Sequence, residues 1–378
     1  MARDFTIGSV AAAEALFVAA LFVAATVGPA VADEQKRTYY IAAEEVEWDY
    51  APEGRDLMMG EAFSEDDLVF VGEGPGRIGH IYHKARYIGY TDDSFTTPLP
   101  VEDPSRGILG PIIHAEVGDT IDVVYQNRTS VPTSVHPHGV FYDKGSEGSM
   151  TFDGTSMDQM ADDFVPPGGT YTYHWSVPER AGPGPNDPSS IVWLYHSHVD
   201  EVRDTNTGLI GAIVVTAKGM AEPDGTPTDV DREFFTLFSV LNENQSLFLP
   251  QMMEKVSAMS RGTEGTAEAL SEEDFEESNL MHAINGYVFS NLPMPAMKVG
   301  ERVRWHVLAL GTEVDLHTPH WHGNTVLVGG HRKDVVDLLP ATTLVADMVP
   351  DNPGIWMFHC HVNDHIAAGM TSRYEVTQ

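Results

Sequence analysis

Cysteine is almost absent from this chain of 378 residues, which contains one, Cys360. A lone cysteine cannot form a disulfide within the chain, so in an oxidising compartment its thiol needs another form of protection, such as a bound metal ion. His359 and His361 flank it, and His365 and Met370 follow shortly after. These are the side-chain types of a metal site. An ordinary buried thiol is the plainer alternative.

Basic residues are also scarce. The 22 lysines and arginines face 56 aspartates and glutamates, which gives a formal net charge of −34. Proteins that bind nucleic acid need a basic surface, so this balance excludes that class of partner. An acidic surface attracts cations, and a solvated acidic coat suited to high salt is the alternative explanation.

Long apolar runs are missing as well. The run at residues 15–27 is shorter than the roughly 20 residues that a membrane-spanning helix needs. It follows Arg3 and precedes small residues that fit cleavage before Asp33. We predict a signal peptide over residues 1–32 and an exported protein, whether secreted, periplasmic or on the cell surface. An uncleaved N-terminal anchor is the alternative.

No segment shows a long helical period. Short apolar or alternating runs, such as Thr120 to Tyr125 and Arg302 to Leu308, are separated by many of the 34 glycines and 24 prolines. This pattern predicts an all-β sandwich or barrel. Residues 254–279 are the exception: they are acidic and poor in β-branched residues, which predicts a helix or a mobile excursion.

The two halves of the chain share motifs. His-x-His-Gly occurs at residues 136–139 and again at residues 320–323, and Trp-x-x-His-x-His occurs at residues 193–198 and 356–361. Such repetition predicts two homologous β-domains. We place these domains at residues 33–218 and 233–378, with a polar linker over residues 219–232.

The remaining candidate ligands occur in the second half alone. Where that half has His317, Cys360 and His365, the first half has Thr133, Ser197 and Val202. Met370 falls opposite Thr207 or Leu209, depending on how the glycines are matched. The comparison predicts one polynuclear site shared by both halves, with a single point of electron entry in the second.

Thiolate, imidazole and a weak axial thioether are the ligands of a type 1 copper site. If residues 356–361 form a strand, Cys360 points to one face while His359 and His361 point to the other. Eight histidines form four i, i+2 pairs, about the number that three copper ions need. Structural zinc sites rarely use so many. The eight are His136, His138, His196, His198, His320, His322, His359 and His361.

These motifs resemble those of the multicopper oxidases, particularly two-domain members with blue copper in the second cupredoxin domain. The resemblance implies two cupredoxin-like Greek-key domains, four coppers per subunit and reduction of dioxygen to water. It assigns type 1 copper to His317, Cys360, His365 and Met370, and type 2 copper to His136 and His320. It assigns the type 3 pair to His138, His196, His198, His322, His359 and His361.

Half of the trinuclear ligands come from each domain type, so the cluster has to form where a first domain meets a second one. A head-to-tail contact between chains that closes makes a ring. Two-domain members of this family are homotrimers with the cluster between subunits. The resemblance therefore implies a homotrimer.

Within the family, the sequence is most similar to the ceruloplasmin and hephaestin group, notably at residues 39–52, 138–142 and 277–286. In that group a glutamate and a histidine of the last stretch bind iron, together with the aspartate before the type 1 histidine. Here these positions are Glu277, His282 and Asp364. Carboxylates and an imidazole suit ferrous iron, which makes a ferroxidase the leading hypothesis. Ordinary surface acids are the bland alternative.

Three other functions compete with this one. A laccase-type oxidase of phenols or aromatic amines would use the same coppers. A copper nitrite reductase is disfavoured because that family carries its blue copper in the first domain. A copper store would not need ligands at such regular spacing. For proton delivery, Asp153 resembles the acid of related oxidases, whereas Asn363 stands where many members have an acid.

Overall fold

The computed structural model describes residue 1 and residues 34–74, 76–151, 154–156, 159–262 and 270–378. The predicted signal peptide therefore lies outside the described residues, apart from its first residue. Among the helices that are described, none is both long and apolar enough to cross a membrane.

Strands dominate the described residues, and the helices are few and short. The strands are β1 Lys36–Asp49, β2 Ile81–Tyr90, β3 Ile112–Glu116, β4 Thr120–Asn127, β5 His136–Pro137, β6 Thr170–Ser176, β7 Ser190–His196, β8 Ile210–Thr216, β9 Arg232–Asn242, β10 Leu280–Ile284, β11 Ala296–Lys298, β12 Val303–Ala309, β13 Pro319–Trp321, β14 Val326–Val328, β15 His331–Lys333, β16 Thr343–Met348, β17 Gly354–Cys360 and β18 Thr371–Thr377. The helices are α1 Leu68–Val71, α2 Glu201–Thr207, α3 Leu249–Gly262, α4 Glu272–Ser278 and α5 Asn363–Ala367. The all-β prediction is confirmed.

The strands form two sandwiches that follow one plan. Sheets β2-β1-β4-β6 and β3-β8-β7-β5 make the first sandwich, and sheets β10-β9-β12-β16-β14-β15 and β11-β18-β17-β13 make the second. Each sandwich has its own apolar core. Parallel pairs recur at matching places, with β1–β4 and β3–β8 in the first answered by β9–β12 and β11–β18 in the second. The internal repeat of the sequence corresponds to this repeated topology.

Burial patterns show how the sandwiches pack. In β4, Ile121, Val123 and Tyr125 are buried and alternate with less buried residues, as expected for a strand with one face in a core. Strands β8 and β12 are buried throughout, because the outward faces of both sandwiches meet in a shared apolar cluster that includes Ala212 and Leu308. Burying each large side chain of this cluster contributes about 1.5–3 kcal/mol.

The sequence also made predictions for two connecting segments, residues 254–279 and residues 219–232. The exceptional segment at residues 254–279 is helical in α3 and α4, with residues 263–269 outside the described part. Ser271 caps the N-terminus of helix α4, because its side chain accepts a hydrogen bond from Asp274 N, and acidic residues fill the first turn. Glu34–Gln378 cluster as one compact unit, so the domain boundary at residues 219–232 stays a prediction.

Candidate metal centres

Three ligand atoms meet at the end of β17. Cys360 Sγ lies 3.8 Å from His317 Nδ1 and 3.5 Å from His365 Nδ1, and the two nitrogens are 3.2 Å apart. All three residues are buried, as is Met370, which belongs to the same core cluster as Cys360. One ion about 2.0–2.3 Å from each donor atom imposes separations of this size. The donor set therefore fits a single metal ion.

The electrostatics of this site favour the metal-binding form of its thiol. Burial alone raises the pKa of the Cys360 thiol, but His317 and His365 outweigh it and lower that pKa to about 6. Burial lowers the pKa of His317, but Asp315 and Cys360 outweigh it and raise that pKa. The thiolate is the form that binds metals.

A carboxylate orients one of the imidazoles. His317 Nε2 lies 3.3 Å from Asp315 Oδ1, which also accepts a hydrogen bond from Val240 N. A ring N–H that donates to a carboxylate leaves the other ring nitrogen free to bind a metal. Here that nitrogen is Nδ1, which faces the sulfur.

The histidine pairs of the second half form a cluster, hereafter the second quartet. Its ring centroids lie 4.4 to 5.4 Å apart, and β13 pairs with β17 through His320 and His359. His322 Nε2 is 3.0 Å from His359 Nε2. The quartet consists of His320, His322, His359 and His361.

The first half repeats this arrangement in the first quartet. Its ring centroids lie 5.1 to 5.6 Å apart, and β5 pairs with β7 through His136 and His196. His138 Nε2 is 3.0 Å from His196 Nε2, the same separation as its counterpart pair in the second quartet. The quartet consists of His136, His138, His196 and His198.

Backbone carbonyls fix the tautomers of equivalent rings. His196 Nδ1 lies 3.0 Å from Ser197 O, and His359 Nδ1 lies 2.6 Å from Cys360 O. A ring nitrogen that close to a carbonyl oxygen is the N–H donor, so Nε2 carries the free lone pair. Both quartets therefore present Nε2 atoms to a ligand.

Burial also keeps these rings uncharged at neutral pH. It lowers the pKa of His196 to about 3 and those of His138 and His359 to about 4. Metals bind neutral imidazole, so protons do not compete with a metal ion here above about pH 5. His138, His196 and His359 therefore suit a metal ion in donor type and charge.

A contact between a glycine and a tryptophan explains why both residue types occur in the motifs. Gly139 has φ 74° and Gly323 has φ 72°, and a Cβ at either position would lie 2.2 or 2.4 Å from the ring of Trp193 or Trp356. The tryptophan of the later motif thus packs directly against the glycine that ends the earlier one. In each half, this contact packs the segment that carries one histidine pair against the segment that carries the other.

The quartets do not meet within one chain. Among the described residues, no hydrogen bond or ring contact joins a histidine of the first quartet to one of the second. The first borders a cavity of about 450 Å³, which Phe141 and Arg180 also line. In the second, His361 is exposed. Each quartet is therefore half of a possible site.

The residues of the predicted iron site lie unevenly. The ring of His282 lies 5.2 Å from that of His365, and burial lowers its pKa to about 4. Its Nδ1 is 3.0 Å from Leu280 O, which leaves Nε2 free. Glu277 and Asp364 are exposed, and in the described part of the chain no hydrogen bond or ion pair joins either carboxylate to His282.

The predicted proton donor Asp153 lies outside the described residues. Asn363 is exposed at the start of α5. Two carboxylates near the sites were not predicted. Asp315 gives no sequence signal beyond standing two residues before a ligand. Asp204 stands opposite His365, because His196 pairs with Ile210 as His359 pairs with Thr371, and Leu209 N bonds to Asp204 O as Met370 N bonds to His365 O. Matching Gly208 with Gly369 in the comparison of the halves gives this correspondence from the sequence.

Models of the family described as multicopper oxidase match residues 105–219 and 263–378, together more than half of the chain. The chain is 47% identical to ferroxidase HEPHL1 of Mus musculus, covering 90% of this chain and 29% of the relative. It is 41% identical to hephaestin of Homo sapiens, over 94% and 31%. It is 40% identical to ceruloplasmin of Rattus norvegicus, over 92% and 33%. The chain spans about a third of the length of these relatives.

Solved structures share the fold. A multicopper oxidase crystal structure aligns with TM-score 0.55 at 18% identity, covering 90% of this chain and 89% of the other. A copper nitrite reductase from Nitrosomonas europaea aligns with TM-score 0.56 at 16% identity, covering 91% and 95%. The prediction of cupredoxin-like sandwiches is confirmed by these matches.

Proposed function

We propose, from the premise that this chain belongs to the multicopper oxidase family, that it is a ferroxidase that passes electrons from ferrous iron to dioxygen. The observation that carries the choice of iron is the contact between His282 and His365, whose ring centroids are 5.2 Å apart. It places a neutral imidazole with a free Nε2 directly against a ligand of the Cys360 site. The similarity to HEPHL1, hephaestin and ceruloplasmin supports the same choice.

The copper assignment follows the sequence interpretation. Type 1 copper would be held by His317, Cys360, His365 and Met370, and type 2 copper by His136 and His320. The type 3 pair would be held by His138, His196, His198, His322, His359 and His361. Copper bound there supplies one-electron oxidation of the donor and four-electron reduction of dioxygen to water.

The chain's own residues provide the route between the sites. Cys360 shares one peptide unit with His359 and another with His361, so only backbone separates the thiolate from either imidazole. On the donor side, Asp364 precedes His365 in α5, and Glu277 ends the acidic run of α4. These carboxylates attract ferrous iron and stabilise the ferric product more strongly, which favours loss of the electron. We assign proton donation to Asp153.

We further propose that the functional unit is a homotrimer with each trinuclear cluster between subunits. Support comes from the two quartets, each incomplete within its own chain. The outer face of β3-β8-β7-β5 is covered by the second sandwich, whereas Ile355 on the equivalent β17 face of the second sandwich is 58% exposed. Covering that face with the next chain gives a head-to-tail contact, which closes into a ring.

Complementation tests this assembly. A His138→Ala chain lacks a working first quartet, and a His322→Ala chain lacks a working second one. In trimers mixed at random from equal amounts, about a quarter of the interfaces pair two intact quartets, so oxidase activity returns on mixing. A monomer that carries full copper, or mixtures as inactive as either variant alone, would refute the trimer.

Export is likewise proposed, with residues 1–32 as a cleaved signal peptide. N-terminal sequencing of the mature protein distinguishes cleavage before Asp33 from an uncleaved anchor.

Substrate kinetics test the ferroxidase proposal. Glu277→Ala combined with Asp364→Ala should lower kcat/KM for ferrous iron at least about tenfold and leave oxidation of a phenol unchanged. Glu276→Ala is the matched control, because this exposed acid lies on the same helix next to Glu277. Equal losses for both substrates, or no loss for iron, would sink the iron site. Efficient phenol oxidation with slow iron oxidation would favour a laccase-type enzyme.

A further inference from the structure

The first sandwich keeps the frame of the Cys360 site without its ligands. In the second sandwich, Thr318 N lies 3.4 Å from Cys360 Sγ; in the first, Ser134 N donates to Ser197 Oγ at 3.0 Å. Both acceptor side chains are fully buried. The repeated fold thus builds the same pocket twice.

Tyrosines fill part of the pocket in the first sandwich. Thr133, which replaces His317, bonds to the hydroxyl of Tyr125, and Tyr87 donates to Ser134 O at 2.6 Å. Both rings are fully buried in the first core. Side chains therefore occupy space that the second sandwich leaves for its ligands.

A carboxylate occupies the remaining space. Asp204 Oδ2 accepts from Ser197 Oγ at 2.6 Å, from Val199 N at 3.0 Å and from Asp200 N at 3.1 Å. Asp204 is 1% exposed, and in the described part of the chain no basic side chain forms an ion pair with it. Burying a carboxylate without a cation lowers the stability of the fold, so Asp204 is expected to have a function that offsets this cost.

We propose that Asp204 is a positioning residue for His196 and His198, and that its carboxylate connects the strand end, the loop and the helix, as a metal ion held by Cys360 and His365 would in the second sandwich. One oxygen bonds to the strand-end side chain of Ser197 and to two loop amides, while Asp204 itself belongs to α2. Ser197 lies between the two histidines in sequence, and His198 N bonds to Ser134 Oγ at 3.0 Å. Bonds that hold Ser197 in place therefore also restrict the backbone of His196 and His198 on either side of it.

The inference rests on the proposed assignment of His196 and His198 as copper ligands, and copper titration tests it. Partners that orient a metal ligand typically contribute about tenfold to a hundredfold in metal affinity. Titrating copper alone into metal-free Asp204→Asn should show a loss of that size at the histidine sites. The blue absorption of the Cys360 site should keep its intensity.

Asp200→Asn is the matched control. It changes an acid of the same loop that has no contact with Ser197, and asparagine serves equally well at a helix N-cap. Ser197→Ala provides a second variant in case Asp204→Asn does not fold. It leaves the two loop amide bonds in place, so its loss of copper affinity should be smaller and in the same direction.

Amide hydrogen exchange in the metal-free protein tests the role of Asp204 independently of the proposed copper-dependent function. Asp204→Asn should speed exchange at the amides of His198 and Val199 at least about tenfold relative to Asp200→Asn, because both amides depend on this network. A wild type that takes up no copper at its histidines refutes the proposed function, while the exchange result still decides the role of Asp204. A lower melting temperature with unchanged copper affinity and unchanged exchange overturns the inference.

Discussion

The two sandwiches are alike at their histidine pairs and unlike one residue away. In each, two Nε2 atoms lie 3.0 Å apart, and one ring of the pair, His196 or His359, has its Nδ1 at the carbonyl oxygen of the following residue. Between the paired histidines, the second sandwich has Cys360 and the first has Ser197. Under the proposed function, the contrast means that the polynuclear site takes ligands from both halves, whereas electron entry uses the second half alone.

Replacing Cys360 by the residue of the other half should have the largest effect. Cys360→Ser removes the thiolate while keeping the hydrogen-bond acceptor that Thr318 N contacts. We expect loss of the blue absorption of a copper–thiolate site and a fall in donor oxidation of about a thousandfold or more. Absorption spectra and oxygen uptake measure both effects. Ser197→Ala is the control and should stay blue, and a blue Cys360→Ser protein would disprove the assignment.

Equivalence of the quartets predicts equal effects from equivalent substitutions. His138→Ala and His322→Ala each remove one member of a 3.0 Å Nε2 pair. Each should lower oxygen consumption at least about a hundredfold, since losing a ligand costs more than losing its supporting partner, which costs about tenfold to a hundredfold in affinity. Both proteins should remain blue. Copper content and oxygen uptake measure the outcome, and a large loss in one variant alone would show that the halves are not equivalent.

Because Asp204 is buried beside Ser197 in the first sandwich, the free energy of unfolding should depend on pH through this carboxyl group. Burial raises the pKa of Asp204 from 3.8 to about 6, whereas the second sandwich has His365 at the equivalent position. A raised pKa means that the folded state holds the proton more tightly than the unfolded state. The resulting stabilisation is complete below about pH 4 and is lost as the pH rises through 6, an effect of about 3 kcal/mol.

Urea unfolding of the metal-free protein at pH 4 to 7 measures this effect. The unfolding free energy of the wild type should fall relative to that of Asp204→Asn across this range. Carboxyl groups elsewhere titrate in both proteins, so the difference between the variants isolates Asp204. Asp200→Asn should show a slightly smaller fall than the wild type, because the Asp200 charge is a minor cause of the raised pKa of Asp204. Parallel curves for wild type and Asp204→Asn would show that Asp204 is charged at all these pH values.

Local patterns in the sequence predicted the fold and the clustering of the paired histidines well. Histidines two residues apart on a strand share a face whatever the rest of the chain does, so the pairs could be identified from their spacing alone. The burial of Asp204 and the approach of Asp315 to His317 could not, because both depend on contacts between segments that no local pattern encodes. The same holds for β8, whose second face is buried only because another sandwich covers it.

The helices that follow each ligand strand give the smallest contrast. Helix α2 is capped by Asp200, whose side chain accepts from Arg203 N at 3.4 Å, whereas α5 follows Val362, whose side chain makes no capping bond. Asp200→Ala should therefore lower the unfolding free energy by about 1 kcal/mol, while Asn363→Ala at the exposed first position of α5 should leave it unchanged. Urea unfolding of both variants at pH 7 provides the measurement. No loss in Asp200→Ala would mean that α2 is held by the Asp204 network alone and gains nothing from its cap.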